Sequence, residues 1–345
     1  MNLVPLANWQ DPIKRRLEAI RAAHERDEDA LWELVQAYVL LFGRKQAATR
    51  ERTLRNYRVG LKDYLAWAWP LESPGPQVHL LKATRDDLRR YIAVLQLEGS
   101  QLTPGEALSP GTIALRLVAV RVLYRALEWA GAASALEGIP APTNPTPAHE
   151  KRPALPPGLY KKLVGYLQGS EPVVLRDRVA VRLLGECGLR ISEVVGLEVG
   201  GVFLEQQELR VLGKWGKTRT VPLPSSLLAD FGEWLKLRSG LVKGDARVIL
   251  NLGGRKADGQ GMTVRTLSEI LRRHYQELGF PEVYYGAHSL RHTAGTRMYK
   301  STRDLHRTAA LLGHASVNTS AIYAKMDLEG LHEAMELADE ALKEE

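Results

Sequence analysis

Seven of the chain's 18 prolines lie between Pro140 and Pro157. Proline has no backbone N–H and holds φ at about −65°, so this density forbids a regular helix or a central strand and favours an extended, stiff segment. A 345-residue chain interrupted in this way near its middle is not expected to close one continuous core. The expected organisation is a domain at residues 1–139, a linker at 140–157, a second domain at 158–326 and a C-terminal segment at 327–345. Both halves are long enough to bury a core of their own, and the apolar fraction of 45% is that of an ordinary globular protein.

Ahead of the linker the strong signals are helical. Asp11 and Pro12 open a helix over residues 11–25, and the apolar run at 31–42 reads as a buried helix. Over residues 53–69, Leu54, Tyr57, Leu61, Tyr64 and Leu65 recur at helical spacing, while Arg52, Arg55, Arg58 and Lys62 occupy the other face. A proline-rich loop spans 70–80. Thr84 caps a helix reaching Leu97, with Asp86 and Asp87 in its first turn where the helix dipole favours them. Ser109-Pro110 opens another, carrying Arg116, Arg121 and Arg125 to about Ala130, and Gly131 ends it. No strand is expected, which makes this an all-α domain.

Beyond the linker the pattern is mixed. Helices are expected at 157–167, 172–185, 263–278 and 290–300, and short strands at 202–204, 208–212, 219–223 and 247–251. Gly313 ends the helix that carries Leu311 and Leu312, and Ser316 or Asn318 can cap a new short one. That break folds Tyr323 back toward His314, whereas one unbroken helix would set the two on opposite faces. The fold class is mainly α with a small antiparallel sheet. In the acidic C-terminal segment, Leu331, Met335, Ala338 and Leu342 form an apolar stripe suited to docking.

Net charge is +7 and is unevenly placed. Lys and Arg number 19 against 17 Asp and Glu over residues 1–150, 27 against 15 over 151–325, and 1 against 8 over 326–345. The excess in the second domain points to a polyanionic partner, because each phosphate neutralised releases counterions. A stiff linker between two such domains would let them grip opposite faces of a duplex. No apolar run reaches the ~18 residues of a membrane span and no signal-peptide order opens the chain, so no membrane partner and a cytoplasmic location are expected. The lone Cys187 cannot form an internal disulfide and reads as a small buried hydrophobe.

Five separated positions look chemical as a set. Gly188-Leu189-Arg190-Ile191-Ser192-Glu193 places an arginine at a turn between helices with a glutamate to brace it, and a fixed guanidinium fork suits two phosphate oxygens. Gly213-Lys214-Trp215-Gly216-Lys217 reads as a hairpin tip whose ammonium groups could protonate a leaving alkoxide. His288 and Arg291, three apart, share one helical face, whereas His292 is expected to point elsewhere, either into packing or as a support behind the site. His314 and Tyr323 complete the set; His274 and His306 have ordinary packing or surface readings. A free phenol, with a pKa of about 10, is a poor nucleophile at neutral pH, so Tyr323 needs a base and nearby cations. No His-Glu-x-x-His, Cys-x-x-Cys or dense carboxylate cluster supports a metal site, and no glycine pair makes a nucleotide-binding loop. With no metal or cofactor expected, phosphoryl transfer must draw its positive charge from side chains.

With these residues assembled, the chain resembles the tyrosine recombinases, the integrase family, and within them the Xer-like branch. The family's order of Arg, Lys, His-x-x-Arg, His or Trp, then Tyr is matched by Arg190, Lys214, His288, Arg291, His314 and Tyr323. The surrounding words Gly-Leu-Arg-Ile-Ser-Glu, His-Ser-Leu-Arg-His-Thr and Leu-Gly-His-Ala-Ser agree as well. The motifs cover residues 155–330, and residues 28–138 match through helical character as a core-binding domain.

The resemblance implies a site-specific DNA recombinase. Tyr323 attacks a DNA phosphate to give a 3′-phosphotyrosyl link, and the released 5′-hydroxyl attacks a partner duplex by way of a Holliday junction. Arg190 and Arg291 hold the nonbridging oxygens, His314 adds a hydrogen bond, and His288 takes the phenol proton. Lys214 is the acid for the leaving oxygen, with Lys217 as the alternative, and Glu193 braces the arginine. Further DNA contacts are expected from Arg52, Arg55, Arg58, Lys62, Arg116, Arg121, Lys217 and Arg219. The implied partners are double-stranded DNA and three further copies of the chain on two duplexes, with the C-terminal helix exchanged between protomers. A second recombinase or accessory protein stays open. So do two rival readings, a noncatalytic DNA-binding protein of this fold and a type IB topoisomerase-like enzyme.

Overall fold

The computed structural model describes residues 7–43, 51–143, 153–213, 216, 218–242, 244–252, 259–314, 316–325 and 335. The chain divides into two compact units, Met1–Pro145 and Thr146–Glu345. Residues 144–152 of the expected linker lie outside the described residues, as does all of the 327–345 segment except Met335.

Helices α1 (Ala7–Gln10), α2 (Pro12–Glu25), α3 (Glu28–Phe42), α4 (Glu51–Ala68), α5 (Arg85–Leu97) and α6 (Pro110–Trp129) build the first unit. Their starts follow local capping chemistry. Asp11 accepts from the Ile13 and Lys14 N–H groups, Thr84 and Asp87 form a reciprocal box, and Ser109 accepts from Thr112. Helix α3 begins earlier than its apolar run suggests because Asp27 caps it. α4 packs along α6 at a point where a Cβ on Gly60 would meet the Ala119 methyl at 2.5 Å, so a side chain there would force the helices apart. Between these helices the Tyr64 and Tyr124 hydroxyls pair at 2.7 Å in a buried aromatic cluster with Trp67 and Tyr91.

One feature corrects the all-helical expectation. A two-residue ribbon pairs β1 (Gly99–Ser100) antiparallel with β2 (Thr103–Pro104). It is organised by Asp63 of α4, a fully buried carboxylate that accepts from Ser100 Oγ (2.9 Å), the Gln101 N–H (2.9 Å) and Arg116 Nε (2.8 Å). A buried carboxylate needs such partners, and they come from two separate segments, the ribbon and α6.

The second unit comprises α7 (Pro157–Tyr166), α8 (Pro172–Gly185), α9 (Ile191–Val195), β3 (Val202–Phe203), β4 (Glu208–Leu212), β5 (Thr218–Pro222), α10 (Ser225–Leu241), α11 (Val264–Glu277), α12 (Ala287–Thr302), α13 (Leu305–Leu312) and α14 (Ala321–Lys325). The strands form one antiparallel sheet in the order β3-β4-β5, with Leu209 opposite Val221 and Leu212 opposite Thr218. Residues 247–251 do not form the expected strand. Their backbone makes two isolated bridges, Glu198 with Arg247 and Leu250 with Gly261, while Val248, Ile249 and Leu250 are held by core packing.

Helix α8 is the axis of this unit, buried from Leu175 to Gly185 and packed by α7, α9, α10 and α12. Its buried arginines are each satisfied. Arg176 pairs with Asp177, whose other oxygen meets His274 at 2.9 Å, and Arg178 and Arg182 share Asp230 of α10. Cys187 is fully buried and its thiol is pushed up to about 12 by that burial, as expected of an inert small hydrophobe. Among the described residues no helix is long and apolar enough to cross a membrane.

Candidate active site

Arg190 sits at the N-cap of α9, just after Gly188, whose φ of +64° turns the chain out of α8. A Cβ on Gly188 would lie 2.6 Å from Leu312 Cδ2, so this turn is pressed against the end of α13. Glu193, three residues on, closes the motif: it accepts the Arg190 backbone N–H at 2.9 Å and Arg190 Nη1 at 2.8 Å. Arg219 from β5 lays its fork on the same carboxylate, Nη1 to Oε1 at 2.9 Å and Nη2 to Oε2 at 3.0 Å. Burial pushes the Glu193 carboxyl up, but the bonds from Arg219 and from the Arg190 backbone win and bring it down to about 2.

Arg291 enters from α12. This helix starts at Ala287, three residues before the expected position, which puts His288 in its first turn and keeps His288 and Arg291 on one face. The Arg291 guanidinium is buried and donates to the Gly188 and Leu312 carbonyls. Arg190 Nη2 reaches the neighbouring Gly313 carbonyl at 3.2 Å. Helix α13 ends at Gly313 in the left-handed conformation, φ +60°, as expected, and its terminal carbonyls carry the negative end of the helix dipole. Two guanidinium groups are thus held at adjacent backbone acceptors. Burial, then the nearby Arg190, bring the Arg291 value down to about 10, so it stays cationic at neutral pH.

Tyr323 arrives on α14. Ser316 caps a 3₁₀ turn over Val317–Thr319, and α14 follows, folded back as expected. The phenol lies on Gly295 of α12, where a Cβ would come within 2.6 Å of the hydroxyl oxygen. His292 does not point away. Its Nδ1 is 3.2 Å from the Tyr323 hydroxyl, and its ring stands between those of His288 (5.4 Å, 89°) and Tyr323 (5.8 Å). Burial pushes the Tyr323 phenol up to about 12 against the downward pull of Arg291. His314 is brought down to about 4 by burial and by the charges of Arg291 and Arg190, so its ring is neutral near pH 7. Its Nδ1 lies 2.8 Å from Ser320 Oγ.

A cleft of about 400 Å³ opens beside this cluster, lined by Arg190, Ser192, Ser268, Tyr285, His288 and Arg291. Lys214 and Lys217 fall outside the described residues, but the strands flanking them, β4 and β5, form the expected hairpin. Arg219, expected to contact DNA, is committed to Glu193, and its buried Nε lies under Gly313. In the first unit Arg52 is exposed, Arg55 pairs with Glu51, Arg58 with Asp29 and Lys62 with Glu28. Arg116 binds the buried Asp63, and Arg121 donates to the Ile139 carbonyl. Among the described residues no group of three or more His, Cys, Asp or Glu side chains is arranged to hold a metal ion.

The phage integrase family profile matches residues 155–329, and the phage integrase N-terminal SAM-like domain profile matches residues 41–131. The chain is 31% identical over 253 residues to tyrosine recombinase XerC of Alcanivorax borkumensis, covering 72% of this chain and 77% of that one. It is 30% identical over 283 residues to XerC of Shewanella amazonensis, covering 81% and 86%. Among solved structures it is similar to the XerH site-specific recombinase bound to palindromic difH substrate, with a TM-score of 0.67, 20% identity and coverage of 90% of this chain and 85% of that one. It is also similar to a lambda integrase dimer bound to a core site, with a TM-score of 0.58, 17% identity and coverage of 88% and 94%. These two likenesses show the shared fold. The profile over residues 155–329, together with the XerC relatives, establishes that this chain belongs to the phage integrase family as a Xer-like tyrosine recombinase.

Proposed function

We propose that this recombinase cleaves and rejoins double-stranded DNA with Tyr323 as its nucleophile. The observation that carries the assignment is convergence: Arg190, Arg291, His314 and Tyr323 come from four elements yet surround one cluster beside a cleft wide enough for a phosphodiester. Tyr323 Oη attacks phosphorus, and its proton passes to His288 by way of His292, which touches both rings. The phosphorus–O5′ bond breaks, and Lys214, which lies between β4 and β5 in the sequence, supplies the proton to the leaving oxygen. Arg190 and Arg291 neutralise the nonbridging oxygens, and His314 donates a further hydrogen bond. Glu193 and Arg219 hold Arg190 in place. The freed 5′-hydroxyl of a partner duplex then attacks the phosphotyrosine, so the bond energy is retained and a Holliday junction forms.

Further phosphate contacts come from Arg52, Arg55, Arg58 and Lys62 on α4. The ion pairs of Arg55, Arg58 and Lys62 are exposed or half-exposed and worth ~0–1 kcal/mol, so a DNA phosphate can compete for them. Four copies on two duplexes, linked through the 327–345 segment, make the working assembly.

The test begins with a site selected from random duplex DNA and rebuilt as a suicide substrate nicked near the scissile phosphate. Wild type should give a covalent adduct and Tyr323→Phe none, with duplex binding retained. An adduct that persists in Tyr323→Phe refutes the nucleophile, and binding without any adduct turns the reading to a noncatalytic DNA-binding protein. Holliday junctions separate recombination from topoisomerase-like relaxation.

A further inference from the structure

Ser320 lies in the turn between His314 and Tyr323 and is fully buried. Its side chain reaches back: Oγ is 2.8 Å from His314 Nδ1, and among the described residues this is the hydroxyl's hydrogen-bond partner. Its backbone works forward. The Ser320 N–H closes the 3₁₀ turn on the Val317 carbonyl at 2.7 Å, and its own carbonyl accepts the Tyr323 N–H at 3.0 Å. One residue therefore holds the imidazole by its side chain and starts the helix of the nucleophile by its main chain.

The direction of the Ser320–His314 bond follows from the chemistry around the ring. A neutral imidazole carries one N–H, and a hydroxyl beside Nδ1 can either accept from it or donate to it. If Nδ1 held the proton, Nε2 would present a lone pair, which repels a phosphate oxygen. If Ser320 donates to Nδ1, the proton sits on Nε2, and the ring joins Arg190 and Arg291 as a donor. Adding a second proton instead is opposed by burial and by those two guanidinium groups. Without the hydroxyl, Nδ1 would be left without this partner and the ring would lose the contact that fixes its rotation.

We propose that Ser320 is a positioning residue for strand cleavage: by donating to His314 Nδ1 it holds the ring and keeps the proton on Nε2 for a nonbridging phosphate oxygen. The proposal rests on the assignment of His314 as a phosphate donor made above.

Two measurements test it. In the first, single-turnover cleavage of the nicked duplex is compared for wild type, Ser320→Ala, His314→Ala and the double variant. Loss of one oriented hydrogen bond should slow Ser320→Ala roughly tenfold while leaving duplex affinity unchanged. In the His314→Ala background the same change should have no further effect, because the serine acts through the ring. Wild-type cleavage by Ser320→Ala overturns the proposal. An equal slowing in both backgrounds also overturns it, since that marks a general loosening of the turn.

In the second, ¹⁵N NMR of histidine-labelled full-length protein reads the His314 tautomer without any cleavage. Nδ1 should be unprotonated and should shift on Ser320→Ala; a proton on Nδ1 in the wild type refutes the assignment. A wild-type protein that forms no adduct at all strikes the recombinase mechanism instead, and leaves this second readout standing.

Discussion

Replacing Glu193 by Gln tests the electrostatic frame of the site quantitatively. The carboxylate is almost fully buried, its side chain 4% exposed, and it is gripped by Arg190 and Arg219. Its pKa falls from an ordinary 4.5 to about 2. A depressed carboxyl pKa contributes stability that is fully present above the unfolded value and is lost as pH falls through the folded one. That depression corresponds to about 3 kcal/mol at neutral pH, of which less than half survives at about pH 3. Glu193→Gln should therefore destabilise the second unit by about 3 kcal/mol near pH 7, because it also leaves two partly buried guanidinium groups short of their counter-charge. The gap to wild type should narrow by about 2 kcal/mol on going to about pH 3. The two units need not unfold together, so urea unfolding is best followed by pulsed hydrogen exchange on peptides covering residues 183–195. Stability curves that run parallel between pH 7 and pH 3 would show that the carboxylate is not stabilised by its arginines, and the account of Arg190 would go with it.

Three further perturbations probe other parts of the chain. Gly295→Ala gains helix propensity but puts a methyl within 2.6 Å of the Tyr323 hydroxyl, so the phenol should leave its buried seat; without DNA, Tyr323 should become nitratable by tetranitromethane in the variant and stay protected in wild type, and equal protection would contradict the packing. Asp63→Asn breaks a buried pair with Arg116 and should cost the first unit about 3–5 kcal/mol in urea unfolding, so a loss below about 1 kcal/mol would mean that the ribbon at Gly99–Pro104 holds by other means. Lys214→Ala should lose cleavage of an ordinary duplex and regain it on one whose 5′-bridging oxygen is sulfur, a leaving group that needs no proton; if Lys217→Ala shows that pattern instead, the acid is the other lysine of the hairpin tip.

What could be read from the sequence was local chemistry, and what escaped it was contact between elements. Asp11, Thr84, Ser109 and Gly313 announce helix boundaries because capping uses groups within a few residues. The Arg190–Glu193 brace was legible for the same reason, the two being one helical turn apart. Helix α10 was not, since Pro224 gives it no side-chain cap and its apolar residues do not gather on one face. Residues 247–251 mimic a strand because a short apolar run looks the same whether a ladder or a core buries it. Counting along one helix turned His292 away, to packing or to a place behind the site, but Tyr323 reaches it from another helix, and no spacing within α12 carries that information. Ser320 is hidden in the same way, an unremarkable serine until the turn folds it under His314.

The same frame limits how Tyr323 can be activated. Arg291 pulls the phenol pKa down, yet burial outweighs it and leaves the value near 12, so the resting phenol is protonated at neutral pH. A bound phosphate would cancel part of the arginine charge and weaken even that downward pull. In the proposed reaction the cations therefore serve the developing charge on phosphorus, and a base takes the proton as the new bond forms. The His292 ring at the hydroxyl, with the His288 ring packed edge-on beyond it at the cleft, is placed to take that proton in the proposed reaction.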